Sequence, residues 1–277
     1  MAARLLPSLL ALLLLPIATA QAGGLPPTSL DAGPEGVLEP SGEHRFTAHP
    51  LASRTVLTKS ETQGGRLLRA SILDGRWGVP VVADDGTSGG LSADGRTLVL
   101  TRVADAYPRR RSSFAIVATG AMARRHTIEV DGEWRFHALS PDGRWVYLIE
   151  QLDRFDPMRQ AVRAYDLAND RLLRLGGPMR GYPIARTTGP NGRWEYTLYA
   201  GGADAFIHAL DTVRRTSLLL DLPHRVARHG RFWALRLVIR EGRVAVVHGD
   251  RIVASPPGVH GAPRSAEARH GRPSPSR

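Results

Sequence analysis

The chain has 277 residues and no cysteine, and its formal net charge at pH 7 is +11. The absence of cysteine excludes disulfides, cysteine-ligated zinc and a lipid anchor on a cysteine, so an apolar core must hold the fold together. The length is sufficient for such a core, in up to two ordinary domains or in one large all-β domain.

The N-terminal residues are typical of a secretory signal peptide. Arg4 supplies a short positive region, an apolar run follows over residues 5–20, and residues 18–20 (Ala-Thr-Ala) offer a cleavage site. A membrane anchor is the alternative, but the run contains prolines and is shorter than the about 20 apolar residues of a spanning helix. We predict a signal peptide over residues 1–22. The mature protein is then secreted or periplasmic, with neither a transmembrane nor a lipid anchor.

Export changes the interpretation of the net charge. A strongly basic protein often binds nucleic acid, but an exported protein does not meet it. Lys59 is the only lysine, and we attribute this preference for arginine to codon bias. We therefore predict no nucleic-acid partner, whereas attraction to an anionic envelope component stays open.

Two segments have the composition of irregular chain. Residues 23–42 are rich in Gly and Pro and are predicted to form a linker. Residues 256–277 add Ser and Arg to this composition and are predicted to form a disordered basic tail. The folded domain is expected between them, over residues 43–255.

A tight-turn motif recurs within this domain. It reads S-P-D-G-R at residues 140–144, and related motifs occur at residues 92–96, 189–193 and 240–243. The glycines that precede the arginine of each motif lie at positions 95, 143, 192 and 242, which gives steps of 48, 49 and 50 residues. A fixed period of this size indicates a repeat architecture. Asp-Gly and Asn-Gly favour tight hairpins, so each repeat is expected to contain a hairpin centred on this motif.

The strand after each turn is apolar on both faces, so both faces must be covered. Two more strand-like runs complete a repeat, for example residues 161–167 and 171–175. Four strands per repeat, stacked against neighbours on both faces, describe a β-propeller blade. We predict an all-β fold, a small β-propeller of about five four-stranded blades. Trp145 and Trp194 begin equivalent strands and are expected in the core between blades.

The last repeat lacks an obvious fourth strand. Residues 45–48 could supply it and close the ring by pairing the terminal strands, and an open or incomplete ring is the alternative. The S-P-D-G-R signature, followed by a strand ending in Tyr165, Asp166 and Leu167 and a short polar turn, resembles bacterial propellers of the TolB, YVTN and WD-repeat kind. The resemblance covers roughly residues 45–255. It implies the architecture and not the function, because propellers host many unrelated activities.

Motifs for metal binding are scarce. There is no H-E-x-x-H and no cysteine ligand pair. Asp153 and Asp156 are two potential calcium ligands, but the further oxygen donors of a dedicated loop are missing. We therefore predict no metal, no cofactor and no catalytic residue.

In a blade, the loops between strands two and three and the loops leading to the next blade emerge on the same face. Here these loops are the long ones, and long loops on a rigid face commonly carry function. They combine aromatic residues with arginines, as protein interfaces do. The alternative is that the aromatics fill gaps between blades and the arginines are merely solvated. We predict a binding surface on this long-loop face that includes Tyr107, Arg109, Arg110, Arg111, Asp153, Arg154, Phe155, Arg159, Arg180 and Tyr182.

A second set of residues follows from aligning the repeats. His137, Arg186 and Arg236 lie 49 and 50 residues apart, at equivalent places on successive innermost strands. Three basic groups beside a central channel would attract an anion. The alternative is that each pairs with a backbone carbonyl or with a carboxylate such as Glu150.

These features favour an exported, non-enzymatic β-propeller that serves as a binding or scaffold module for a protein or an anionic envelope component. The alternative is a lactonase-like or glycan-hydrolase-like propeller that acts at the central channel. Such an enzyme requires acidic residues or histidines clustered at the channel mouth, whereas the aligned positions carry mainly arginine.

Overall fold

The structure is a computed structural model that describes residues 32–201, 204–227 and 232–256. The predicted signal peptide, the first part of the predicted linker and nearly all of the predicted tail lie outside the described residues. Within the described ranges, no helix is long and apolar enough to cross a membrane.

The described strands form five antiparallel sheets, numbered here in chain order. The first strand, β1 (Ala32–Gly33), joins sheet 2, whereas sheet 1 consists of β2 (Val37–Leu38), β3 (His44–Leu51), β4 (Arg54–Glu61) and β5 (Leu67–Asp74). The other strands of sheet 2 are β6 (Trp77–Pro80), β7 (Thr97–Arg102), β8 (Arg111–Ala118) and β9 (Ala123–Asp131).

The C-terminal half contributes the other three sheets. Sheet 3 contains β10 (Trp134–Leu139), β11 (Trp145–Gln151), β12 (Arg159–Asp166), β13 (Arg171–Arg174) and β14 (Met179–Arg180). Sheet 4 contains β15 (Tyr182–Thr188), β16 (Trp194–Gly201), β17 (Asp204–Asp211) and β18 (Thr216–Asp221). Sheet 5 contains β19 (Leu235–Arg240), β20 (Arg243–His248) and β21 (Arg251–Ala254). The short helices are α1 (His224–Ala227) and two 3-10 turns, Pro190–Gly192 and Phe232–Ala234.

The prediction of an all-β, propeller-like fold is confirmed. In sheets 1, 3 and 4, four strands that follow one another in the sequence lie side by side in the same order, as in propeller blades. The segment interpreted as a linker contributes β1 and β2, which pair with β6 and β3.

The recurring motif forms the turn between the first and second strands of a sheet. In sheet 3, Ser140 Oγ donates to a carboxylate oxygen of Asp142 at 2.6 Å and accepts from the backbone N–H of Trp145 at 2.9 Å. Gly143 has φ +66°, and a Cβ at this position would lie 2.4 Å from Thr97 Oγ1 of sheet 2. Glycine is therefore required both by the backbone conformation and by the close approach of the neighbouring sheet.

In sheets 2 to 5, the strand that follows the turn motif (β7, β11, β16 or β20) is buried on both faces. In β11, Val146 and Leu148 belong to the apolar cluster shared with sheet 2, whereas Tyr147 and Ile149 belong to the cluster shared with sheet 4. This alternation follows from the two-residue period of a strand. It explains why the strand that follows the turn motif is apolar throughout.

Trp145 and Trp194 are less buried than expected. Both pack against the clusters between sheets, but their rings are only partly covered. Each is the first residue of its strand, at the margin of the sheet. The guanidinium of Arg215 lies 4.8 Å from the centre of a Trp145 ring, and that of Arg193 lies 5.9 Å from the Trp194 ring.

The predicted closure of the ring is wrong. Residues 45–48 lie in β3, which pairs with β4 along its whole length and with β2 at residues 45 and 46, and which does not pair with β21. Strand β21 pairs with β20. The four buried clusters of the described residues join sheets 1 and 2, 2 and 3, 3 and 4, and 4 and 5, and none of them joins sheet 5 to sheet 1. The open alternative therefore describes the arrangement.

In sheet 2, residues 81–91 follow β6 and reach sheet 4. The backbone N–H of Asp84 donates to the carbonyl of Pro183 at 2.9 Å, and that of Asp85 donates to the carbonyl of Ile184 at 3.0 Å. The segment therefore crosses between two sheets that are separated along the chain by sheet 3. We call residues 81–91 the crossing loop.

Candidate functional site

A groove on the long-loop face lies between the loops that precede β8 and follow β11. Its volume is about 370 Å³, and it is lined by Pro108, Arg109, Arg110, Gly132, Glu133, Gln151 and Arg154. The structure thus brings together residues of two loops that were predicted to converge on this face. We call this feature the long-loop groove.

Arg109 is part of the framework of the groove rather than a free surface charge, since its side chain is only 5% exposed. Its backbone N–H donates to Glu133 at 2.7 Å, and its guanidinium donates to the carbonyl of Trp134 and to the hydroxyl of Tyr107, both at 3.2 Å. Burial lowers the pKa of Arg109. A buried charge of this kind holds its surroundings in place, because the guanidinium must keep its partners.

The two arginines that follow Arg109 differ in their surroundings. Arg111 lies 3.0 Å from a carboxylate oxygen of Asp131 and 3.6 Å from one of Glu129, so its charge is largely balanced. Arg110 is exposed, and no carboxylate of the described residues pairs with it. Arg110 is therefore the member of this run that leaves a positive charge available.

Phe155 follows the groove residue Arg154 in the chain and is 85% exposed. A carboxylate oxygen of Asp153 accepts the backbone N–H of Phe155 at 2.9 Å and so fixes the turn. The guanidinium of Arg154 lies 5.0 Å from the centre of the phenyl ring. Within the described ranges, Arg154 also has no carboxylate partner.

The remaining predicted residues of this face do not line the groove. Arg180 Nε donates to Asp156 at 3.0 Å, and Arg159 is opposite Arg180 in the pairing of β12 with β14. Tyr182 packs partly buried against the cluster between sheets 4 and 5, which agrees with the gap-filling alternative. The described residues contain no group of three His, Cys, Asp or Glu side chains that could hold a metal ion.

At the centre of the molecule, two of the three aligned basic residues meet. Arg186 Nη1 lies 3.2 Å from Nδ1 of His137, and Arg186 Nη2 lies 3.1 Å from a carboxylate oxygen of Glu195. Arg236 does not join them. It is exposed on β19 and donates to the carbonyls of Trp233 and Leu235, because the alternating positions Leu235 and Leu237 face the core.

Glu195 balances the charge of Arg186. Both residues are only 8% exposed, and Thr188 Oγ1 donates to the same Glu195 oxygen at 2.8 Å. Burial raises the pKa of Glu195, although Arg186 and Thr188 act in the opposite direction. The free positive charge that an anion would need at this position is therefore largely cancelled.

Beside this pair lies a buried polar cluster that sequence analysis missed. The rings of His137 and His208 are 5.3 Å apart, and Tyr199 meets His208 edge-on at 6.4 Å. Burial lowers the pKa of His208 to about 4 and raises that of Tyr199 to about 12. The available signal was a histidine inside the apolar run of β17, which sequence reasoning treats as an ordinary strand position.

A cavity of about 510 Å³ opens on the face that carries the turn motifs, opposite the long-loop face. Sheets 1 to 4 all contribute to its lining, and Arg186 and Glu195 belong to it. We call it the turn-side cavity. Residues 86–90, Gly-Thr-Ser-Gly-Gly, fit the nucleophile pattern G-x-S-x-G. They lie in the crossing loop rather than between a strand and a helix, and no histidine is among the residues that line this cavity.

No protein-family model matches the chain, and no curated protein sequence is significantly similar to it. Solved structures with a similar backbone include Kuenenia stuttgartiensis hydrazine synthase, with 13% identity, a TM-score of 0.46, and coverage of 82% of this chain and 59% of that one. They also include TolB from Acinetobacter baumannii, with 11% identity, a TM-score of 0.43, and coverage of 77% of this chain and 51% of that one.

A third similar structure is Pyrococcus horikoshii acylaminoacyl peptidase, with 11% identity and a TM-score of 0.48. It is matched over 78% of this chain and 38% of the peptidase. The present chain thus spans less than two thirds of the length of each of these three proteins. At such identities the likeness concerns the fold alone, and no activity is transferred from them.

Proposed function

We propose that this protein is an exported binding module without catalytic activity, and that its long-loop groove docks an acidic segment of a partner protein. The observation that carries the proposal is the pair Arg110 and Arg154. Both are exposed at one groove, and neither has a carboxylate partner among the described residues. Two uncompensated charges that face the same ligand favour a partner of opposite sign.

Phe155 and Tyr107, the exposed sequence neighbours of the groove residues Arg154 and Pro108, add apolar contact area. Arginine and aromatic residues are enriched among the residues that contribute most to protein interfaces. Asp153 fixes the turn that carries Phe155, and Arg109 fixes the loop that carries Tyr107. Binding therefore requires little loss of conformational entropy in these loops, because these contacts are already formed in the unbound protein.

The hydrolase alternative has less support. Glycoside hydrolysis generally uses a pair of carboxyl groups, and a serine nucleophile needs an adjacent base. Among the described residues that line the turn-side cavity, Glu195 is the only carboxylate and none is a histidine. Within this described lining, Ser88, at the centre of the G-x-S-x-G pattern, has no histidine that would activate it.

The experiment compares two charge reversals of equal size. Arg110→Glu with Arg154→Glu reverses the groove, and Arg171→Glu with Arg214→Glu reverses two exposed arginines at turns between third and fourth strands, on the opposite face. Each purified protein is used to capture partners from an envelope extract. Captured proteins are identified by mass spectrometry, and their acidic segments are then titrated as peptides.

We expect an acidic peptide to bind the wild type and the Arg171/Arg214 variant, and to bind the groove variant at least about tenfold more weakly. Added salt should weaken the interaction, because part of the attraction is electrostatic. Equal loss in both variants would show that only net charge matters. Capture of an anionic polymer or lipid without any protein would contradict the protein-partner part of the proposal.

A further inference from the structure

The turn-side cavity is independent of the long-loop groove, because it opens at the opposite ends of the strands. Its volume of about 510 Å³ lies within the ~300–1,000 Å³ typical of small-molecule sites. Its walls come from four sheets that are held together by the crossing loop and by buried clusters. A site built from several fixed elements keeps its shape without a ligand.

The two charged residues that line the cavity, Arg186 and Glu195, cancel each other's charge. Arg186 and Glu195 are paired at 3.1 Å, and His137 and Thr197 contact the same guanidinium at 3.2 and 3.5 Å. This ion pair offers hydrogen-bonding groups but no net charge. An ionic ligand would have to compete with an existing partner, whereas a neutral polar ligand would not.

The lining of the cavity is mixed in polarity. The side chains of Ser88 and Asn191 line the cavity and make no hydrogen bond within the described residues. Val37, Leu38 and Phe136 add apolar groups to the same lining. A ligand that matches this lining must carry both hydroxyl or amide groups and C–H groups.

We propose that the turn-side cavity binds a neutral, polyhydroxylated ligand, namely a mono- or disaccharide or the equivalent unit of a glycan chain. The hydroxyls of a sugar ring satisfy Ser88, Asn191 and the Arg186–Glu195 pair. The C–H face of the ring packs on Phe136 and Leu38. A bound ligand covers the side chains of Ser88 and Asn191. Its hydroxyls can pair with these side chains, which avoids the free-energy cost of burying polar groups without partners.

The test is a titration of the full chain with glucose, N-acetylglucosamine and maltose, followed by calorimetry or ligand-observed NMR. Ser88→Ala with Asn191→Gly removes both free polar side chains, and glycine relieves the positive φ of +60° at Asn191. Ser60→Ala with Asn169→Gly is the control, since it removes the same residue types outside the cavity, and its thermal unfolding accounts for the lost hydrogen bond from Asn169 to Asp166. Leu38→Ser is a second variant, at a side chain that is already 44% exposed.

We expect at least one sugar to bind the wild type and the control, and to bind the Ser88/Asn191 and Leu38 variants about tenfold more weakly or worse. The affinity should be the same at about 50 and about 500 mM salt, because no net charge is involved. Cosedimentation with insoluble chitin that is lost in the Ser88/Asn191 variant would identify a glycan chain as the ligand, and binding of the soluble sugars alone would identify a free sugar.

Three results would overturn the proposal: no binding of any of the sugars to the wild type, equal binding losses in the cavity and control variants, or binding of sodium sulfate in place of the sugars. Thermal unfolding of every variant accompanies the titrations. The Leu38 variant keeps the proposal testable if the double variant does not fold.

Discussion

Arg186 and His137 occupy equivalent positions 49 residues apart, and they meet with Nη1 of Arg186 3.2 Å from Nδ1 of His137. A guanidinium can only donate, so Nδ1 of His137 accepts and the imidazole proton is on Nε2. Burial, followed by the charge of Arg186, holds the pKa of His137 well below 6.5. The contact therefore selects both the tautomer and the neutral state of this histidine.

His208 should make the protein sensitive to acid. Burial lowers its pKa in the folded state from 6.5 to about 4, so the unfolded chain takes up a proton in this range before the folded protein does. The free energy of unfolding therefore has its full value above pH 6.5 and decreases by an amount on the order of 3 kcal/mol as the pH falls towards 4. In His208→Phe, the urea midpoint should fall less steeply between these pH values than in the wild type. The exposed His49→Gln variant is the control, and an equal slope in all three proteins would contradict the assignment.

Asp84 in the crossing loop should have the opposite effect. Burial raises its pKa from 3.8 to about 6, so the folded protein binds this proton more tightly than the unfolded chain does. Stability is then lost as the pH rises from about 4 to about 6. Because the group is half-buried and partly screened by solvent, we expect Asp84→Asn to stabilise the protein by only about 1–2 kcal/mol at neutral pH. The gain should disappear near pH 4, and a variant that is less stable than the wild type at pH 7 would show that the carboxylate has a favourable partner.

Gly143 and Gly95 form a matched pair for testing the turn motif. Both have a positive φ, +66° and +70°, so alanine costs about 1–2 kcal/mol of backbone strain at each. At Gly95 a Cβ meets nothing within 4 Å, whereas at Gly143 it would overlap Thr97 of the neighbouring sheet. The free energy of unfolding should therefore fall further in Gly143→Ala than in Gly95→Ala. Equal losses in urea unfolding would mean that the two sheets are not in contact at this point.

Tyr147 and Tyr199 are both buried, but their hydroxyls differ. Tyr147 donates to the carbonyl of Thr212 at 2.6 Å, whereas the Tyr199 hydroxyl makes no hydrogen bond within the described residues. We expect Tyr147→Phe to lower the free energy of unfolding by about 1–2 kcal/mol. Tyr199→Phe should be neutral or stabilising, because it removes a buried group without a partner. A clear loss in Tyr199→Phe would indicate a bound water or ligand at that hydroxyl.

Export can be tested on the protein recovered from its own cells. The positive region, apolar run and small-residue site predict that the mature chain begins near Gln21 or Gly23. Mass spectrometry of the N-terminal peptide determines this directly. A chain that still begins with Met1 in the cytoplasmic fraction would remove the basis for an envelope partner.

The features that could be predicted from the sequence are local ones. The turn depends on the side chains of Ser140 and Asp142 and on the backbone of Gly143, which act within a few residues. The turn and the strand after it could therefore be identified from the motif and its period. Arg109 looked like its two neighbours in the sequence, but contacts with Glu133 and Trp134, which are 24 and 25 residues away in the chain, make it a buried framework residue. His208 and the crossing loop were missed for the same reason, since their contacts join residues that are distant in the chain.

The crossing loop also changes how the protein is expected to open. In a linear array of repeats each unit depends only on its neighbours, so opening can begin at either end and proceed inward. Hydrogen bonds from residues 84 and 85 to β15 link sheets 2 and 4 directly, so sheet 3 cannot separate from its neighbours without breaking a second connection. Sheets 2, 3 and 4 should therefore protect their amides as one cooperative unit. Sheets 1 and 5, each of which shares a buried cluster with one neighbouring sheet alone, should exchange their amides first.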